Sequence, residues 1–284
     1  MVQLPLTEAL HASRTLRMKI GDVLEVCDGR GCTATAEWLD SQNKTGSLVR
    51  ITSQVTLAPR EPWEWTVAVA CGSLKGGRGD WLVEKTAELG AATLLPLLTT
   101  RSPTIAGSDR NDGASGKGDK PSKKKQKKGE DSSGDSYVSG AGGREGRWHR
   151  VSLAAMKQCL RSRAMEIKPP CTIEEFCSVY LDASGDWDKK PAVAWVGTEG
   201  APPIEHRARD LLSSLQQQNT ESIPSKQNPR QGVLIIGPEG DFTAEELEMM
   251  ASAGVQGVGL GPLRLRTETA AIAMLSCARL TIST

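Results

Sequence analysis

The chain has 284 residues, with 35 Lys or Arg against 34 Asp or Glu and 38% hydrophobic residues, so it is long and apolar enough for one large or two modest globular domains. No apolar run reaches the roughly 18 residues needed to cross a bilayer, and the opening MVQLPLTEAL lacks the basic-then-apolar order of a signal peptide; a soluble protein with no membrane partner is expected. The seven cysteines are odd in number and scattered, with no C-x-x-C pair and no histidine at ligand spacing, which argues against zinc or any other metal and against a disulfide framework, and fits a reducing compartment.

In chain order, Thr7 to Met18 has helical spacing. Gly21-Asp22 then opens the alternating segment VLEVCDGRGCTATAEWL, in which Asp28-Gly29 lies between two strand-like runs as a hairpin turn would. A further strand pattern covers Ser47 to Leu57. Short strands separated by turns at this spacing predict a small β-barrel over residues 1–60. Pro59 to Pro62 forms a hinge to a larger domain, residues 63–284, whose first strand is Trp65 to Ala70. Trp81 to Leu89 reads as a helix stopped by a left-handed Gly90, and Ala92 to Leu98 as the next strand. This alternation predicts a mostly parallel sheet.

Ala106 to Arg147 breaks the pattern with glycine, serine, aspartate and the run KKKQKK, a composition that cannot bury enough apolar surface to offset its ordering entropy; it is read as a disordered insertion. It carries ten Lys or Arg against seven Asp or Glu, leaving 25 against 27 elsewhere, so any RNA site on the folded part must be a local cluster. Trp148 to Arg163 resumes as a helix, Pro191 to Gly197 as a strand and Ile204 to Leu215 as a helix, before a smaller polar insertion over residues 216–231.

The stretch from Gly232 to Thr269 holds two glycine-rich loops. Val233 to Ile236 is a continuous apolar run, a buried strand closed by Gly237-Pro238-Glu239-Gly240. Ligands of open α/β sheets sit at such carboxyl ends, where glycines let backbone groups approach closely. The next helix has a full start signal, with Thr243 as N-cap, Glu246 three residues on, and Phe242 placed to staple onto Leu247. Val255 to Leu260 leads to Gly261-Pro262, then Thr267-Glu268-Thr269 and the apolar helix Ala270 to Leu280.

IIGPEGDFTAEEL followed at this distance by LGPLRLRTETAAIA resembles the RsmE family of SPOUT-class methyltransferases, which use S-adenosylmethionine to methylate N3 of a uridine in small-subunit (16S-type) ribosomal RNA. The resemblance covers nearly the whole chain and is strongest from Trp148 onward. It implies a knotted α/β domain preceded by a PUA-like RNA-binding barrel, and HASRTLRMKIGD looks like that family's opening helix and turn. The family's aromatic-rich first strand is missing or truncated here, which leaves room for a leader upstream. By the same resemblance, Ile236, Gly237, Pro238, Glu239 and Gly240 form one wall of the cofactor pocket. Leu260, Gly261, Leu265, Arg266, Thr267 and Thr269 form another, and Thr198-Glu199 after the earlier strand supplies a third. RNA would be met by Arg14 and Arg17 on the N-terminal helix and by Arg101, Arg161 and Arg163 in the segments TTRSPT and QCLRSR.

Methylation at N3 requires the donor methyl and the acceptor nitrogen to be held in line and the N3 proton to be removed or the anion stabilised. Glu268 is the first candidate base and Arg266 the candidate for stabilising uracil or phosphate charge; alternatively Glu268 favours its helix N-terminus and Arg266 pairs with it. Two residues depart from the family pattern: Asp241 stands where glycine is common, and Lys157 where glutamate is common. The family also implies a homodimer acting on small-subunit rRNA or an assembling subunit, in the cytoplasm, or in a chloroplast or mitochondrion for a eukaryotic source. A competing class is a non-catalytic RNA-binding protein that keeps the fold. A nucleotide-phosphate enzyme is disfavoured because neither G-x-G-x-x-G nor G-x-x-x-x-G-K-[ST] occurs.

Overall fold

The computed structural model describes residues 1–39, 46–70, 72, 74, 77–104, 144–181, 190–217 and 229–282. Most of the lysine-rich stretch read as an insertion, and residues 218–228 of the second, lie outside the described residues.

The N-terminal unit is an antiparallel sheet. Strands β1 (Val2–Pro5), β2 (Val23–Cys27), β3 (Cys32–Trp38), β4 (Gly46–Ile51) and β5 (Thr56–Leu57) pair in the order β1-β4-β3-β2, with β5 also on β3. A first strand is therefore present. It is short and carries no aromatic residue, which hid it from sequence reading, but four register pairs from Val2↔Val49 to Pro5↔Gly46 tie it to β4. Helix α1 (Leu6–Leu10) widens into a π-helical turn over His11–Thr15, and its Ala9 and Ala12 cover a small core of Ala36, Trp38 and Val49. The expected hairpin forms around Asp28, whose Oδ1 accepts from the N–H groups of Arg30 at 2.7 Å and Cys32 at 3.0 Å. Burial works to raise the Asp28 carboxyl, but those two hydrogen bonds prevail and hold it below its ordinary value.

The larger unit is built on a parallel sheet in the order β12-β10-β11-β6-β7-β8, with β9 beside β7. Its strands are β6 (Trp63–Ala70), β7 (Thr93–Leu98), β8 (Glu166–Ile167), β9 (Cys171–Thr172), β10 (Val193–Gly197), β11 (Arg230–Ile236) and β12 (Gln256–Val258). The apolar runs of β6, β10 and β11 alternate between two cores, as the period of two in a strand requires. Val67, Val69, Trp195, Leu234 and Ile236 face one side, Ala68, Ala194, Val196, Val233 and Ile235 the other.

Helices α2 (Arg78–Glu88), α3 (Arg144–Gln158), α5 (Ile204–Gln217) and α7 (Thr267–Ile282) cover the first side. Helix α4 (Ile173–Glu175), its π-helical continuation Phe176–Leu181 and α6 (Ala244–Ser252) cover the second. Strands β8 and β9 and the helical segment after them have too few residues to show periodicity, and sequence reading missed them. The expected helix Trp148 to Arg163 is shifted toward the N-terminus: α3 already includes residues 144–147, assigned above to the insertion, and stops at Gln158. Likewise residues 216–217 end α5 and 230–231 begin β11. The final helix is longer than the apolar run suggested, and Ala271, Met274, Leu275, Ala278 and Ile282 bury its stripe within its own unit.

The two units are clasped together. Arg30 and Arg163 form an antiparallel bridge in which the Gly31 N–H donates to Ser162 O at 3.0 Å and the Ala164 N–H to Gly29 O at 2.9 Å. The Arg163 guanidinium donates to Arg30 O and, at 2.9 Å, to Ala58 O. Lys157 Nζ lies 2.8 Å from Glu8 Oε1, so the departure from the family pattern at Lys157 is a contact between α3 and α1. Among the described residues no helix is long and apolar enough to cross a membrane.

Candidate active site

Strands β10, β11 and β12 are adjacent and parallel, so the loops leaving their carboxyl ends gather at one edge. Direct bonds hold these loops together. The Thr198 N–H donates to Val258 O at 2.9 Å, Thr267 Oγ1 to Gly237 O at 3.2 Å, and Arg264 Nη2 to Glu239 O at 2.9 Å. An added Cβ at Gly197 would meet only Ile235 O and Leu260 Cδ1, each 3.9 Å away. Thr198, the turn Gly237 to Gly240, Leu260 and Thr267 are thereby brought into one place. Glu199, Arg266 and Thr269 are exposed around this group, and Leu265 and Gly261 belong to the connection that leads into α7. Gly200 and Gly261 have positive φ angles of 76° and 98°, and an added Cβ at either would have nothing within 4 Å, so the space beside these two turns is open.

The turn after β11 is braced from below. Thr243 caps α6 with a full capping box: its Oγ1 accepts from the Glu246 N–H at 3.3 Å, and Glu246 Oε2 accepts from the Thr243 N–H at 2.8 Å. Phe242 and Leu247 share one apolar cluster, as the staple requires. The other oxygen of Glu246 does a second job: Oε1 accepts from the Thr100 N–H at 2.7 Å and from Thr100 Oγ1 at 3.1 Å. This buried carboxylate thus ties the loop after β7 to the loop after β11. Arg101 adds to the tie by donating to Gly240 O and, at 3.4 Å, to Phe242 O.

Asp241 has φ +64°, a conformation in which glycine is at ease and aspartate is among the few other residues tolerated. Its Oδ1 accepts from the Phe242 N–H at 2.8 Å. Asp241 thus holds this backbone shape by a local hydrogen bond.

Glu268, in the first turn of α7, is buried, with 8% of its side chain exposed. Its partner is Arg78 at the start of α2: Arg78 Nη1 lies 3.4 Å from Glu268 Oε1, and Arg78 Nη2 lies 3.5 Å from Glu239 Oε1. The alternative in which Arg266 pairs with Glu268 is not the arrangement found. Glu268 Oε2 is buried without a hydrogen-bond partner among the described residues.

Of the arginines expected to meet RNA, Arg101 is exposed at the loop cluster, and Arg14 and Arg17 are exposed on the N-terminal unit. Arg161 and Arg163 are elsewhere and are occupied by backbone. Arg161 Nη2 donates to Ala91 O at 3.1 Å and Nη1 to Ala87 O, closing the end of α2; burial, with Arg279 nearby, pulls its guanidinium below the usual range. Arg163 serves the clasp described above. Arg78 and Glu246 are the residues that sequence reading did not single out as part of the site. For Arg78 a signal was available, an arginine in the glycine-rich run KGGRGD at the carboxyl end of a buried strand. The described residues contain no group of three or more side chains suited to a metal.

Comparison with known proteins gives the same direction. The chain is 26% identical over 279 residues to the ribosomal RNA small subunit methyltransferase E of Bacillus subtilis, covering 95% of this chain and 86% of the relative. It is 41% identical over 130 residues to the protein of the same name from Mesomycoplasma hyopneumoniae, 46% of each chain. Among solved structures, a methyltransferase of Legionella pneumophila with the cofactor SAM bound superposes with a TM-score of 0.67 at 26% identity, covering 98% of this chain and 91% of that one. A small subunit methyltransferase E from Neisseria gonorrhoeae superposes with a TM-score of 0.66 at 21% identity, a likeness of fold, covering 99% of this chain and 92% of that one. The family model of the RNA methyltransferase domain matches residues 132–279, more than half of the sequence, and this chain belongs to that family, in its RsmE group.

Proposed function

We propose that the protein methylates N3 of a uridine in small-subunit ribosomal RNA, using S-adenosylmethionine. The observation that carries this reading is the joining of the turns after β10, β11 and β12 by direct hydrogen bonds beside a buried carboxylate with one oxygen unpartnered among the described residues. The residues fit such a cofactor. The space beside Gly200 and Gly261 is open, Leu260 and Ile236 offer apolar walls, and backbone groups at strand ends offer the polar contacts that an adenosine and an amino acid moiety need. Thr198, Glu199, Ile236 to Gly240, Leu260, Gly261, Leu265, Arg266, Thr267 and Thr269 would hold it. When bound, S-adenosylmethionine supplies a methyl carbon whose bond to sulfur breaks with the electron pair left on sulfur as the new bond to nitrogen forms.

The chain's own residues do the rest. Glu268 takes the N3 proton on its carboxylate, which leaves the nitrogen lone pair for the incoming methyl. The exposed Arg266, two residues earlier, balances the charge that develops on the uracil carbonyls or on a neighbouring phosphate. Arg101, Arg14 and Arg17 contact RNA phosphates, which position the substrate without reading its sequence. Arg161 and Arg163, held by backbone carbonyls, would border the substrate only through what they support.

In this reading the three turns form the SPOUT trefoil knot over residues 63–284, the antiparallel sheet of residues 1–60 is a PUA-like RNA-binding barrel, and the protein works as a homodimer on rRNA or an assembling subunit. Calorimetry with S-adenosylmethionine, followed by mass spectrometry of small-subunit rRNA incubated with the protein, tests it. Binding and a single new methyl on uridine N3 are the expected results. RNA binding without cofactor binding would instead favour a non-catalytic RNA-binding protein of the same fold.

A further inference from the structure

We infer that Arg78 is a positioning residue for methyl transfer, setting the direction of the Glu268 carboxylate and fastening the turn after β11 to it; the inference rests on the function proposed above. Its side chain is 31% exposed and spans two acids on different elements, Glu239 in the turn after β11 and Glu268 in α7. The two contacts use different guanidinium nitrogens, Nη2 for Glu239 and Nη1 for Glu268. A planar fork with fixed angles between its donors can hold two carboxylates in a defined relation; an ammonium, a point charge on a flexible stem, cannot.

The consequence for Glu268 is geometric. With Oε1 3.4 Å from Arg78 Nη1, one orientation of the carboxylate is favoured, the one in which Oε2 is buried and without a partner among the described residues. That is the oxygen that would receive the proton from N3. The base for Arg78 is packed. It opens α2 directly after Gly77, whose φ is +90°, and the neighbouring Gly79 lies against the ring of Trp148, 3.0 Å from where a Cβ would stand. Helix α2 is thereby set against α3. Three elements meet in this contact, since α2 joins the turn after β11 to α7.

The test is steady-state kinetics on the full chain with an rRNA fragment that the unaltered protein methylates, alongside calorimetry with S-adenosylmethionine and thermal melting. Arg78→Met keeps the stem and removes the fork. The expected result is a fall of about a hundredfold in kcat, the size of effect that misplacement by about 1 Å produces, with KM for RNA and melting temperature held and any loss of cofactor affinity well below the loss in kcat. Guanidinium ion added to Arg78→Met should recover part of the rate, and ethylammonium should not. Arg78→Lys restores charge without the fork and should stay about tenfold below the unaltered protein. An unchanged kcat in Arg78→Met overturns the inference, as does a loss matched by equal losses of cofactor affinity and melting temperature, which would make the arginine a purely structural brace. Should Arg78→Met fail to fold, full activity in Arg78→Lys overturns it on its own. An unaltered protein that neither binds S-adenosylmethionine nor methylates rRNA shows that the proposed function is wrong before any variant is compared, and removes the inference with it.

Discussion

The two ends of the parallel sheet are made differently. At the amino ends, Trp63 and Trp65 stack with ring centroids 5.3 Å apart, Trp195 lies 6.3 Å from Trp65, and all three are buried. Gly232 is a packing position there, since a Cβ would meet the Trp65 ring at 2.3 Å. At the carboxyl ends the glycines are mixed, since a Cβ at Gly259 would meet Ala201 O at 2.6 Å and one at Gly240 would meet Arg101 Cδ at 3.2 Å. Gly200 and Gly261 face open space, positive φ angles recur at Gly200, Asp241 and Gly261, and Glu268 Oε2 has no partner among the described residues. One end is filled by packed indole rings, and at the other the turns after β10 and β12 border open space. Strands β10 and β11 run through both ends.

This contrast can be broken at each end. The largest effect is expected at the open end: Glu268→Gln should lower turnover by about 10²–10⁴-fold, the range for loss of a general base, while cofactor affinity and stability are unchanged. Full turnover in that variant would remove Glu268 from the chemistry. At the filled end, Trp65→Ala should cost about 3–5 kcal/mol in urea unfolding, and the fraction that stays folded should bind the cofactor normally. A smaller loss, about 1–3 kcal/mol, is expected for Gly232→Ala, since the added methyl must displace a buried ring; wild-type stability would mean that Trp65 can move and the filled end is looser than its packing indicates.

The smallest effect concerns neither end. Asp28 in the hairpin of the N-terminal sheet has a lowered carboxyl, so the stability it adds is complete above the ordinary carboxylate value of 3.8 and is lost as pH falls through the lowered one. Asp28→Asn should therefore flatten acid unfolding below about pH 4 and leave neutral-pH activity alone. An acid unfolding curve identical to that of the unaltered protein would show that the two hydrogen bonds from Arg30 and Cys32 contribute nothing.

What the amino-acid sequence settled by itself is whatever short-range rules govern. The apolar runs of β6, β10 and β11, the capping box at Thr243 and Glu246, the left-handed Gly90 with φ +88° and the two glycine-rich turns with their spacing were all legible, because period, cap chemistry and chain stereochemistry act within a few residues. Tertiary structure alone decided which side chains meet. Arg78 reaches Glu268 across 190 positions of sequence, Glu246 reaches Thr100 across 146, and Arg163 reaches Ala58 across 105. No local pattern encodes such pairs. Short strands such as Val2–Pro5, Glu166–Ile167 and Cys171–Thr172 form only because a partner strand is already there to accept their hydrogen bonds. For the same reason Arg161 and Arg163 looked like phosphate ligands in the sequence and became backbone braces in the fold: a guanidinium serves either purpose, and only the groups packed around it decide which.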